Sequence, residues 1–128
     1  MDINKFVGIP YEHLGRSFSG CDCYGLVILV YRELFNKELN DSIEYQKSIQ
    51  SYKEAVDIVK PLLNVKEVNT PEYGDLGLFK YRGFPTHIGI YVGNNKILHS
   101  LRRMDSGIQN LEHPLLRGRL EGWYHCER

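Results

Sequence analysis

The spacing of apolar residues changes period along the chain, and the change falls at about Pro71. From Asp22 to about Asn36, the residues Cys23, Leu26, Val27, Val30 and Leu34 recur at helical spacing, with Ser19 or Asp22 available to cap the first turn. The stretch "QSYKEAVDIVKPLL" reads as a second amphipathic helix, closed or kinked by Pro61, and "KELNDSIEYQKS" as a polar connection between the two. After Pro71 the pattern alternates. "GDLGLFKY" follows a turn signal and reads as a strand; "HIGIYV", "KILHSL" and "RLEGWYHCE" follow, with "GNN" as a tight connection. A helical half followed by strands predicts an α+β fold, with N-terminal helices packed on a central antiparallel sheet. At 128 residues the chain can bury one sizeable core and not two, so residues 1–128 are expected to form a single domain.

Sixteen Lys and Arg balance sixteen Asp and Glu, so no overall field favours a nucleic acid or an anionic membrane as partner. The start "MDINKFVGIP" carries charges and a proline where a secretory signal needs an apolar core, and the longest apolar run, "YGLVILVY", is far short of a bilayer span. The expectation is a soluble chain made in the cytoplasm without a signal peptide. Three cysteines, an odd number, argue against a disulfide framework and for free thiols.

Two of those cysteines stand in "GCDCYGLVILVYREL". Cys23 begins the helical stripe, whereas Cys21 lies in the turn before it. Backbone N–H groups and the positive end of the helix dipole favour a thiolate in a first helical turn, and a nearby imidazolium would favour it further. Histidines are available on the strands. On "HIGIYV", Ile88, Ile90 and Val92 share one face and His87, Gly89 and Tyr91 the other. If "GNN" is a three-residue loop with Asn95 left-handed, Val92 pairs with Lys96, and His99 falls opposite Gly89 and diagonal to His87. A two-residue loop would send the two histidines to opposite faces. With the histidines together, a strand-borne imidazole can take the thiol proton and return it to a leaving amine while a third group fixes its tautomer. His87 as base and His99 as orienter fit those roles.

The stretches "PYEHLGRSFSGCDCYGLV", "GDLGLF" and "HIGIYVGNNKILHS" resemble, in order and spacing from Pro10 to Ser100, the motifs of the NlpC/P60 family of papain-like cysteine peptidases. The resemblance implies Cys23 as nucleophile, His87 as general base and His99 as third member of a triad. It places the family's loop tyrosine on Tyr11, which would help hold the substrate or the oxyanion, and suggests that Asp22 contacts substrate polar groups. Tyr24 stands where most members have serine, which implies an altered adjoining subsite. That aromatic, the "GIPY" start and the compact tail "RLEGWYHCE" look more like the phage tail-associated branch. The implied substrate is a peptidoglycan stem peptide, cut between D-γ-glutamyl and a diamino acid. The implied partners are that peptide and phage tail proteins, and the implied place of action is the cell wall, as a virion tail component. No cofactor and no metal are expected.

Three other readings compete. A zinc-binding structural module would use Cys21 or Cys23 with His87, His99, His125 or Cys126, although Cys-x-Cys lacks the usual ligand spacing. The same cysteine and histidine chemistry also serves papain-like acyltransferases and lipid hydrolases. A catalytically silent tail-assembly subunit would keep the fold alone.

Overall fold

A computed structural model of the chain describes residues 2–41, 64–81 and 84–127. The N-terminal part opens with a 3-10 turn, Ile3–Phe6, and a two-stranded hairpin of β1 (Arg16–Ser17) and β2 (Gly20–Cys21). Helix α1 follows as Cys23–Phe35. The second expected helix, residues 50–63, lies outside the described residues. Strands β3 (Lys66–Val68), β4 (Leu76–Tyr81), β5 (Phe84–Gly93), β6 (Lys96–His99), β7 (Gly107–Asn110) and β8 (Leu120–His125) form one antiparallel sheet in the order β3-β8-β4-β5-β6-β7. The four expected strands are there. The edge strands β3 and β7 add to them, both too short and too polar to alternate visibly.

Helix α1 begins where Asp22, in extended backbone, accepts a hydrogen bond from Gly25 N at 2.7 Å, and it stops at Asn36 in the left-handed conformation. The apolar stripe is wider than its spacing suggests. Every residue from Tyr24 to Tyr31 is buried, because β5 covers one side of the helix and the N-terminal 3-10 turn and hairpin the other. A side chain at Gly25 would overlap the Gly15 carbonyl, so the glycine is what lets the hairpin approach.

Two apolar clusters flank the sheet. Leu76, Leu78, Ile88, Ile90 and Leu98 pack with α1, and Phe79, Ile97, Leu116 and Trp123 pack on the opposite face. The alternation read on "HIGIYV" holds, with Val92 on the helix side and Tyr91 on the other.

The turn differs from the expected one. Asn94 and Asn95 are both left-handed, with φ of 52° and 61°, and form a two-residue connection in which Gly93 pairs with Lys96. Val92 is a bulge residue between Tyr91 and Gly93, and it absorbs the residue that the shorter loop gives up. Tyr91 therefore still faces Ile97 and Ile90 faces Leu98, the register a three-residue loop would have set.

Candidate active site

That register places Gly89 beside His99, where an added Cβ would stand 3.3 Å from His99 Cβ. On the other side His99 pairs with Gly107 of β7. The imidazole is thus flanked by a glycine on each neighbouring strand and reaches both diagonal neighbours. His87 Nε2 lies 2.8 Å from His99 Nδ1, and His99 Nε2 lies 2.6 Å from Gln109 Oε1. A carbonyl oxygen only accepts, so His99 Nε2 carries its proton and Nδ1 is left to accept from His87 Nε2. The lone pair of neutral His87 is then on Nδ1. Gln109 stands in none of the motifs read from the sequence; the one local signal for it is the glycine two residues earlier, facing a histidine.

Cys23 is the first residue of α1 and is half-buried. The backbone N–H groups of Ile88, the residue after His87, and of Tyr24 lie toward its sulfur and favour the thiolate. Tyr81 stands between these groups: it is within electrostatic reach of Cys23, its ring meets the His87 ring edge-on at 5.8 Å, and its hydroxyl donates to the Leu115 carbonyl. Arg119 lies over a face of this tyrosine, its Cζ 4.5 Å from the ring centroid. Neither Tyr81 nor Arg119 was singled out from the sequence, because the bulges at the ends of β4 and β8 bring them in.

Electrostatics in the site oppose one expectation. Burial, with the Asp22 charge adding to it, pushes the Cys23 thiol up to about 12 in spite of the Ile88 and Tyr24 amides. Burial and His99 bring His87 down to about 3. His99 is also lowered, by burial first, with Gln109 working the other way. Burial thus works against the thiolate that the first-turn position favours, and pushes both the thiol and the imidazole toward their neutral forms.

The remaining residues divide clearly. Cys21 is fully buried in β2, its thiol pushed up to about 12 by burial and Asp22, and it bridges Tyr11. Tyr11 is half-buried and runs alongside Cys21, two residues before the helix. Asp22 is 6% exposed and committed internally: Oδ1 takes Gly25 N and the Arg16 guanidinium at 2.9 Å, and Oδ2 takes Leu14 N at 2.9 Å. This is a cap and an anchor for the loop. Tyr24 is also engaged internally. It is buried in the helix-side core, with its hydroxyl donating to the Asn40 carbonyl and Arg16 over its ring. One residue along a helix turns the side chain by about 100°, which carries Tyr24 inward from the face that shows Cys23.

The zinc reading also meets the geometry. The three cysteines are free, and among the described residues no three His, Cys, Asp or Glu side chains converge as ligands. His125 pairs instead with Asp75 at 2.7 Å. Among the described residues no helix is long and apolar enough to cross a membrane.

The arrangement is a thiol on a helix N-terminus set against a strand that carries a tautomer-fixed imidazole, which suits nucleophilic attack on an acyl carbon. Comparison with known proteins agrees with this chemistry. The model of the NlpC/P60 family matches residues 8–122. The chain is 29% identical over 100 residues to a probable peptidoglycan endopeptidase, LytE, of Bacillus subtilis, covering 77% of this chain and 25% of that protein. It is 30% identical over 112 residues to a murein DD-endopeptidase/murein LD-carboxypeptidase, MepS, of Escherichia coli, covering 88% and 53%. It thus spans about half or less of these curated relatives. A crystal structure of the NlpC/P60 domain of the peptidoglycan hydrolase SagA superposes with a TM-score of 0.63 at 18% identity, over 96% of this chain and 91% of that one.

Proposed function

The chain belongs to the NlpC/P60 family, and from that premise we propose that it is a cysteine peptidase which hydrolyses peptidoglycan stem peptides at the bond between D-γ-glutamyl and a diamino acid. The relatives named for peptidoglycan and murein endopeptidase activity support the class of substrate. The observation that carries the chemistry is the chain from His87 through His99 to Gln109, which leaves the His87 lone pair on Nδ1.

In this reading Cys23 is the nucleophile, His87 the base and His99 the orienting group. The Cys23 proton passes to His87 Nδ1 as Sγ attacks the γ-carbonyl carbon, so thiolate and imidazolium form together in the filled site and not before. The helix N-terminus and the Tyr11 hydroxyl meet the oxyanion. Collapse breaks the C–N bond, His87 delivers its proton to the departing amine, and a thioester remains on Cys23. Water then gives its proton to His87, attacks the thioester and releases a carboxylate and the thiol. The narrower placement in a phage tail rests on Tyr24, "GIPY" and the compact C-terminal tail, and finding the chain in purified virions is its test.

A digest of purified muropeptides followed by mass analysis tests the peptidase. The wild type and Cys21→Ser are expected to release a new diamino-acid amine, and Cys23→Ala none. Cleavage of a thioester lipid or an ordinary L-peptide with no new amine from the muropeptides would transfer the site to acyl transfer or lipid hydrolysis.

A further inference from the structure

Arg119 is in an unusual position for an arginine. Its Nε is buried without a hydrogen-bond partner, Nη1 reaches the Lys80 carbonyl only at 3.3 Å, and among the described residues it has no carboxylate. A guanidinium presents five donors in a planar fork that matches a carboxylate edge to edge, and an enclosed N–H left unmatched is costly. The group is also held in place. It lies on the face of Tyr81, whose hydroxyl is tied to Leu115, and the same tyrosine ring contacts His87 and senses Cys23.

Resting on the peptidase reading above, we propose that Arg119, seated on Tyr81, binds a carboxylate of the substrate, the one left free at the α-carbon of a γ-linked glutamyl residue on the acyl side of the scissile bond. The distances suit that group. The stacking and edge contacts of 4.5 and 5.8 Å put the guanidinium about 10 Å or less from the His87 ring. A carboxylate four bonds from the attacked carbonyl lies about 5 Å from it, and a forked pair adds about 4 Å between the two carbons. An α-linked residue other than glutamate places no carboxylate at that distance, so the site would select a glutamyl residue on the acyl side; an α-linked glutamyl would set its γ-carboxylate the same four bonds from the carbonyl and differ only in where its amide nitrogen lies.

Two stem peptides that differ only in a free or an amidated glutamyl α-carboxylate provide the test. With the free acid, Arg119→Gln is expected to lower kcat/KM by about ten- to a hundredfold, mostly through KM, and Arg119→Lys by less, because it keeps charge without the fork. With the amide, both variants should match the wild type within about twofold, which also shows that they fold. Equal losses on both peptides, or no loss on either, overturn the carboxylate site and leave the peptidase standing. Failure of the wild type to cleave either peptide overturns the peptidase reading, and this site with it.

Discussion

His99 owes its reach to residues that have no side chains. With Gly89 on one neighbouring strand and Gly107 on the other, its ring bridges His87 and Gln109. Both histidines could be seen in the sequence because strand alternation and a short turn place them locally; Gln109 could not, since only the pairing of β7 with β6 brings it there. The role proposed for Gln109 is to hold the His99 tautomer and, through it, that of His87. Gln109→Leu should therefore lower kcat by about a hundredfold, within the range of general acid–base catalysis, and leave KM nearly unchanged. Gln109→Glu, which still accepts from Nε2, should keep most of the rate. An unchanged kcat in Gln109→Leu would remove the glutamine from the relay. His87→Gln is expected to cost nearly all activity and His99→Gln to leave a measurable remainder; the reverse order would exchange base and orienter.

At the scale of elements, the start of α1 holds Cys23, the proposed nucleophile, and is itself held by Asp22, which joins the helix, the Leu14 loop and Arg16. A side-chain cap contributes about 1 kcal/mol, and hydrogen bonds to a charged, enclosed group about 1.5–3 kcal/mol. Asp22→Ala is expected to lower stability in urea by about 2–4 kcal/mol and Asp22→Asn by less, since the amide oxygen still caps. A raised KM at unchanged stability would instead support the substrate contact. The aspartate and its cap were legible from a local pattern. The direction of Tyr24 was not legible, because adjacency in a helical sequence is not adjacency in space: the residue after Cys23 turns into the core.

The whole molecule keeps His87 neutral by enclosing it between Phe79, Tyr81 and His99, and that enclosure has a pH signature. The folded value of about 3 is below the ordinary 6.5, so between those limits the unfolded chain binds a proton that the folded protein refuses. The stability this contributes is present above about pH 6.5 and is lost as pH falls toward 3. Urea titrations at pH 7, 5 and 4 should show the wild type losing stability more steeply than His87→Gln; parallel losses would mean that the ring is not enclosed. The sequence by itself determined the α+β order, helix α1 with its cap, the helix-side face of β5, and that Cys23 opens the helix while His87 and His99 share a face of the hairpin, all of which depend on spacings within one element or one hairpin. Only the tertiary structure decided that a bulge at Val92 would rescue the register of the two-residue turn, that the helix would be buried on every side from Tyr24 to Tyr31, and that Gln109, Tyr81 and Arg119 would gather near His87. Those outcomes depend on strand pairing and burial, which join residues far apart in the chain and leave no period in it.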